Sequence, residues 1–105
     1  MLTVYKYAFA VQDTVEIEMP TDARIIHVDH QEGVSAFVVG TGWSAYGALV
    51  LWAVVDTDEE PETRILHVRG TGHPFTGEEG EHLGSVLIER GRLVWHVFEH
   101  ALATA

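Results

Sequence analysis

The segment VRGTGHPF, residues 68–75, combines glycines with a threonine and a histidine, as do loops that bind phosphate or hold a reactive imidazole. Its glycines have the G-x-x-x-x-G spacing of a phosphate-binding loop, but Glu78 stands where that loop requires lysine. The dinucleotide-binding pattern G-x-G-x-x-G also fails, because Phe75 replaces its third glycine. The sequence therefore favours a turn that ends a strand, and ligand contact through His73 is the alternative.

Seven histidines invite a metal hypothesis. Three of them lie between two large apolar residues of a strand: Ile26-His27-Val28, Leu66-His67-Val68 and Trp95-His96-Val97. Neighbouring strands in register could bring these imidazoles together on one face. However, the chain contains no His-x-His pair, and His27 and His30 have opposite parity on a strand, so they point to different faces. We therefore predict no metal site.

No local signature of nucleophilic catalysis is present. The chain has no cysteine, and Ser35, Ser44 and Ser85 all lie outside a G-x-S-x-G elbow. We therefore assign no catalytic residue and no cofactor, and we expect a protein that is not an enzyme. The alternative is a small-ligand or metal-binding domain centred on His73 and His96. Hydrolysis of the bound ligand is a further option within this alternative. Its candidate ligand-binding residues are Gly70, Gly72, His73, Trp95 and His96.

Two acidic clusters flank the predicted strand Thr63–Gly70. The first, Asp56–Glu62, begins like a calcium-binding loop, but Pro61 and His67 occupy the positions that need glycine and a bidentate glutamate. The second consists of Glu78, Glu79 and Glu81. Because a strand rises by about 3.3 Å per residue, we expect the two clusters at opposite poles of the domain.

The segment GTGWSAYG, residues 40–47, places two large aromatic side chains in a glycine-bounded loop. Trp43 and Tyr46 either fold back to close one end of the domain or project as anchors for a partner. We take these two residues as the candidate partner-binding site.

Alternation of apolar and polar residues with a period of two runs through the whole chain. It predicts eight strands: Leu2–Phe9, Thr14–Met19, Ala23–His30, Val34–Val39, Ala48–Asp56, Thr63–Gly70, His82–Glu89 and Arg92–Glu99. The third and fourth should form a hairpin, and Arg90-Gly91 is a two-residue hairpin turn before the last strand. Ala48–Asp56 is apolar on both faces, which is typical of a buried central strand. We predict an all-β fold, a small antiparallel sandwich or barrel of seven to eight short strands with little or no helix.

Length and composition limit the classes of function. The 105 residues predict one domain, residues 1–105, whose last few residues fray. The net charge is −10, with only six Lys and Arg, which argues against direct binding of nucleic acid or an anionic membrane. An acidic surface suits a partner with a basic surface. The absence of cysteine, of a signal peptide and of a long apolar run predicts a cytoplasmic protein.

Several segments resemble the small uncharacterised proteins of tailed bacteriophages and prophages, notably those of actinobacteria. The most specific are Gly70–Pro74, GTGHP, and Leu93–Glu99, LVWHVFE. The long 40–47 loop departs from the pattern of that family. The resemblance implies a phage gene product in the host cytoplasm, an accessory protein that binds a host factor.

We therefore expect a phage-encoded accessory protein that acts as a non-enzymatic protein-binding module in the host cytoplasm. Its partner is a host or phage protein, or a second copy of the chain in a homo-oligomer. The alternatives are the small-ligand or metal-binding domain centred on His73 and His96, and a component of the virion or of its assembly.

Overall fold

The computed structural model describes residues 1–31, 37–38, 42–43, 48–88 and 91–100. Within these residues the fold is all-β, which confirms the predicted class, and no helix long and apolar enough to span a membrane occurs. The strands are β1 (Leu2–Phe9), β2 (Thr14–Pro20), β3 (Arg24–Gln31), β4 (Phe37–Val38), β5 (Gly42–Trp43), β6 (Ala48–Asp56), β7 (Pro61–Gly70), β8 (Glu81–Ile88) and β9 (Leu93–Glu99).

Seven strands form two antiparallel sheets that pack as a sandwich. One sheet has the order β1-β6-β3 and the other the order β2-β7-β9-β8, while β4 pairs only with β5 among the described strands. Strand β6 is central in its sheet, as its two apolar faces predicted, and Leu49, Val50 and Leu51 are buried in it.

The core lies between the facing sides of the two sheets and follows the alternation of the sequence. In β2, Val15 and Met19 are buried, while Glu16 and Glu18 are exposed on the opposite face. The core consists of aliphatic residues from both sheets together with Phe9 and Met19: Phe9, Val15, Met19, Ala23, Val28, Leu49, Leu51, Ala53, Val55, Leu66, Val68, Val86, Ile88 and Val97.

One of the two predicted hairpins is present. Strands β8 and β9 are joined at the predicted turn, where the Gly91 amide donates to the carbonyl of Ile88 and Gly91 has φ +82°. The hairpin expected between the third and fourth strands is not seen in the described part of the chain, because β3 pairs with β6 and Phe37–Val38 pairs with Gly42–Trp43. The chain end expected to fray, residues 101–105, lies outside the described residues.

The connection from β7 to β8 has the largest effect on the surface. Both strands are antiparallel to β9, so they run parallel to each other. Gly70, at the end of β7, is level with Trp95, whereas Glu81, at the start of β8, is level with Glu99. Residues 71–80, here called the crossover loop, must therefore carry the chain back along the length of the sheet.

This return overturns the expected separation of the two acidic clusters. Glu81 lines the same groove, of about 380 Å³, as Glu62 of the first cluster. Arg64 is buried there and donates to Glu99 Oε1 at 2.9 Å and to the Ala23 carbonyl at 2.7 Å. The predicted separation of the two acidic clusters was wrong because it assumed that the chain stays near the end of β7. The crossover loop instead returns it towards the level at which β7 begins.

Candidate functional site

The crossover loop is fixed by one buried carboxylate. Glu79 is 1% exposed, and its oxygens accept hydrogen bonds from the Thr76 hydroxyl (2.8 Å), the Thr76 amide (3.0 Å), the Gly77 amide (2.9 Å) and Arg69 Nε (3.1 Å). Arg69 also donates to the carboxylate of Asp13 at 2.9 Å, which ties the loop to the segment before β2. Glu79 therefore takes the two backbone amides that a phosphate-binding loop would offer to its ligand.

The same contacts set the charge of Glu79. Burial alone would raise the pKa of this carboxyl, but hydrogen bonds from the amide and hydroxyl of Thr76 and from Arg69 favour the ionised form and lower the pKa to about 2. Glu79 is thus an anion at neutral pH with its charge satisfied inside the protein, and it is a structural residue of the loop.

His73 lies near the start of the crossover loop, three residues after the end of β7. Its ring covers Gly70, where an added Cβ would come within 2.7 Å of the imidazole, and it packs edge-on against Trp95 with the ring centroids 5.9 Å apart. The Gly70 amide lies 3.3 Å from His73 Nδ1. Gly72 has φ +85°, so a residue without Cβ suits this turn. The predicted residues Gly70, His73 and Trp95 are therefore in mutual contact.

His96 belongs to a different cluster. It follows Trp95 directly in β9, so its side chain points to the opposite face of the sheet. There Ser85 Oγ lies 2.7 Å from His96 Nδ1 and 3.1 Å from His82 Nε2, and Thr71 Oγ1 lies 2.9 Å from His96 Nε2. We call these four side chains, Thr71, His82, Ser85 and His96, the serine–histidine chain.

The serine–histidine chain resembles part of a catalytic site. A serine hydroxyl bonded to an imidazole whose other nitrogen is held by a third group is the arrangement that activates nucleophilic serines. Sequence reasoning considered Ser85 only for an elbow motif and missed this contact. Counting outward from the predicted turn at residues 90–91 pairs Ser85 with His96, so the hairpin register was the signal that could have found it.

Aromatic side chains border this chain on the outer face. Phe98 packs against Phe75 of the crossover loop and against the ring of His82, with the ring centroids 5.2 Å apart in both pairs. Phe75 itself is 56% exposed. Of the predicted partner-binding residues, Tyr46 lies outside the described residues, and only the backbone of Trp43, in β5, is described.

Strand β1 is a second candidate site of a different kind. Among the described strands it is hydrogen-bonded only to β6. Leu2, Val4 and Tyr5 are 72%, 50% and 42% exposed, and Lys6 is the one charged side chain of the strand. A long apolar edge of this kind can pair with a strand of another chain.

The backbone of β1 has a defined direction of hydrogen bonding. The Met1 carbonyl accepts a hydrogen bond from the Thr57 amide at 2.9 Å. Met1 and Thr57 lie one step beyond the pair Leu2–Asp56, so they are a hydrogen-bonded pair of the ladder between β1 and β6. Bonded and non-bonded pairs alternate in an antiparallel ladder. The odd-numbered residues of β1 therefore bond to β6, and the N–H and C=O groups of Leu2, Val4, Lys6 and Ala8 point away from it.

The other three edge strands of the two larger sheets are protected. Strand β2 carries the exposed charges Glu16 and Glu18 and ends at Pro20, which has no backbone N–H. Strands β3 and β8 both contain irregularities of register, and they pack against each other, with Val28 approaching so closely that an added Cβ at Gly84 would lie 2.5 Å from it. Of these four described edges, β1 alone has no register irregularity, no acidic side chains and no packing against another edge strand.

Metal ligands do not cluster in the described residues: no group of three or more His, Asp or Glu side chains there has the spacing of a metal site.

Comparison with known proteins gives one match. A family model described as Domain of unknown function (DUF7352) matches residues 1–104. No curated protein and no solved structure matches the chain.

Proposed function

We propose a function from geometry for this chain, which belongs to the DUF7352 family: it is a non-enzymatic protein-binding module whose strand β1 accepts an extended segment of a partner protein. Strand addition of this type obtains affinity from main-chain hydrogen bonds and selectivity from alternate side chains.

The observation that carries this proposal is the unprotected edge of β1. Four residues of the strand direct their backbone donors and acceptors away from β6, and the apolar side chains of Leu2 and Val4 are at least half exposed beside them. A partner strand would satisfy these groups and cover both side chains. We expect the partner segment to be extended and to carry alternating apolar residues.

The biological setting of the proposal comes from the sequence resemblance. It implies a phage accessory protein in the host cytoplasm, whose partner is a host or phage protein. The net charge of −10 favours a partner with basic residues around the docking segment, because opposite charges increase the rate of association.

Peptide display against the immobilised protein tests the proposal. Selected peptides should contain alternating apolar residues and should shift the amide NMR signals of Leu2, Val4, Lys6 and Ala8. The Val4→Pro variant removes one outward N–H without touching the ladder to β6, and it should weaken peptide binding by about tenfold or more.

The matched controls are two separate variants, Leu87→Pro and Leu87→Asp, in β8, which is another edge strand with an exposed apolar side chain. Whichever Leu87 variant keeps the melting temperature of the wild type should bind the peptides as the wild type does. Failure to select any peptide, or peptides that bind Val4→Pro as well as wild type, would contradict the proposal.

A second candidate function is supported by the 2.7 Å contact between Ser85 and His96. It is a hydrolytic small-ligand site in which the Ser85 hydroxyl attacks an acyl or phosphonyl centre while His96 accepts the proton. A fluorophosphonate probe tests it, because attack by Ser85 would displace fluoride and leave a covalent adduct. Labelling should be lost in Ser85→Ala, and an unlabelled wild-type protein would refute this second function.

A further inference from the structure

The outer face of the four-stranded sheet contains a second pair of histidines. His67 of β7 and His100, directly after β9, place Nε2 and Nδ1 3.4 Å apart, with the rings nearly perpendicular and their centroids separated by 5.5 Å. His67 pairs with Phe98 in the ladder between β7 and β9, and His100 lies two residues beyond Phe98, so the two histidines are diagonal neighbours on one face of the sheet.

From this pair we propose a binding site for one divalent transition metal ion of the Zn²⁺ class, held by His67 Nε2 and His100 Nδ1 and completed by water. Zinc–imidazole bonds are about 2.0–2.1 Å long, and two of them at a tetrahedral angle separate the nitrogens by about 3.3–3.4 Å. The observed separation of 3.4 Å has this value without any movement of the rings.

The second nitrogen of His67 is held in the way that metal ligands require. Thr14 Oγ1 lies 3.4 Å from His67 Nδ1, so an Nδ1–H that points at the hydroxyl leaves Nε2 with its lone pair directed towards His100.

The surroundings suit a hydrated cation. The pair lines a groove of about 220 Å³ together with the carboxylate of Glu78, which gives space for water ligands and one further negative charge. The one cation of this groove, Arg69, is already paired with Asp13 and Glu79. Its repulsion of a metal ion is offset by these two carboxylates.

Calorimetric titration of the full chain with ZnCl₂ at pH 7.5, and with CoCl₂ followed by visible absorption, tests the site. The wild type should bind one ion per chain. His67→Ala and His100→Ala should each lower the affinity by about tenfold or more, because each removes one of the two protein ligands. Circular dichroism of each variant establishes that it is folded.

Two other histidines serve as matched controls. His82 lies on the same face in the serine–histidine chain, and His27 lies on the other sheet. His82→Ala and His27→Ala should bind the ion as the wild type does. The assignment is overturned if the wild type binds no ion, if His67→Ala or His100→Ala retains full affinity, or if His82→Ala or His27→Ala loses it.

Discussion

The crossover loop and strand β1 both lie at the periphery of the sandwich, but their polar groups differ in what they contact. In the loop, the chain supplies its own partners, since Glu79 accepts from Thr76, Gly77 and Arg69 within one buried cluster. In β1, every second residue directs its backbone groups outward beside exposed apolar side chains. A segment without regular structure is thus the more completely bonded of the two.

This difference separates residues that stabilise the fold from residues available for binding. From the sequence, a ligand-binding role for His73 in this loop was the alternative to a simple turn, because glycines and a histidine are typical of ligand-binding segments. The geometry places the unsatisfied bonding capacity on β1, whose sequence is an ordinary alternating strand. Three predictions test the contrast, in decreasing order of the change in stability, and a fourth concerns the serine–histidine chain.

Gly80→Ala should cause the largest loss of stability. Gly80 has φ +98°, and an added Cβ would lie 1.9 Å from the Glu99 carbonyl oxygen, so the backbone of loop or strand must move. We expect a decrease of about 3 kcal/mol or more in the free energy of unfolding. Gly77→Ala is the matched control, with φ +89° and no described atom within 4 Å of the Cβ, and should cost only about 1 kcal/mol. Equal effects in urea unfolding would show that the loop is not held against β9.

Glu79→Gln should destabilise the protein in a pH-dependent way. The folded pKa is lowered from 4.5 to about 2, so the contribution of Glu79 is fully present above pH 4.5 and is lost as the pH falls towards 2. The difference in melting temperature between wild type and variant should therefore be large at pH 7 and small near pH 2. Glu78→Gln, at an exposed neighbour, should show little difference at either pH. If the difference in melting temperature between wild type and Glu79→Gln does not decrease at low pH, Glu79 is not the buried anion described above.

Proline substitutions at adjacent positions of β1 should have unequal effects. Tyr5→Pro removes an N–H that bonds to β6 and should cost about 2 kcal/mol or more, whereas Val4→Pro removes an outward N–H and should cost less than about 1 kcal/mol. Thermal unfolding of the two variants measures the difference. The reverse order would mean that the outward face of β1 has been assigned to the wrong residues.

Ser85→Ala should have the smallest effect. The serine–histidine chain is on an exposed face, and loss of one hydroxyl there should change the free energy of unfolding by less than about 1 kcal/mol. The ring signals of His82 and His96 in NMR should nevertheless move, because both lose the same partner. Unchanged signals would show that Ser85 does not link the two rings in solution.

The strands could be predicted from the sequence because alternation is a local property. Leu2–Phe9 and Ala48–Asp56 have the predicted bounds. The apolar or polar character of each strand residue reflects whether it lies on a buried or an exposed face. The site could not be predicted in the same way. Burial of Glu79 depends on Arg69 and on the return of the chain along the sheet, and the contact of His67 with His100 depends on the pairing of β7 with β9.

The edge character of β1 also depends on strand order. Nothing in the residues of Leu2–Phe9 distinguishes a strand with one neighbour from a strand with two. The charges of Glu16 and Glu18 did mark β2 as a strand with a solvated face. The absence of acidic side chains in β1 does not show whether the strand is buried or lies at an edge. Central strands and edges that bind partners are both rich in apolar residues.

Hydrogen exchange of the β1 amides, followed residue by residue by NMR in dilute protein without a partner, distinguishes an open edge from a covered one. If the edge is open, the amides of Val4, Lys6 and Ala8 should exchange rapidly, whereas those of Thr3, Tyr5 and Tyr7 should be protected by their bonds to β6. Uniform protection of all six amides would contradict an open edge, because it would mean that the outer side of β1 already has a hydrogen-bonded neighbour.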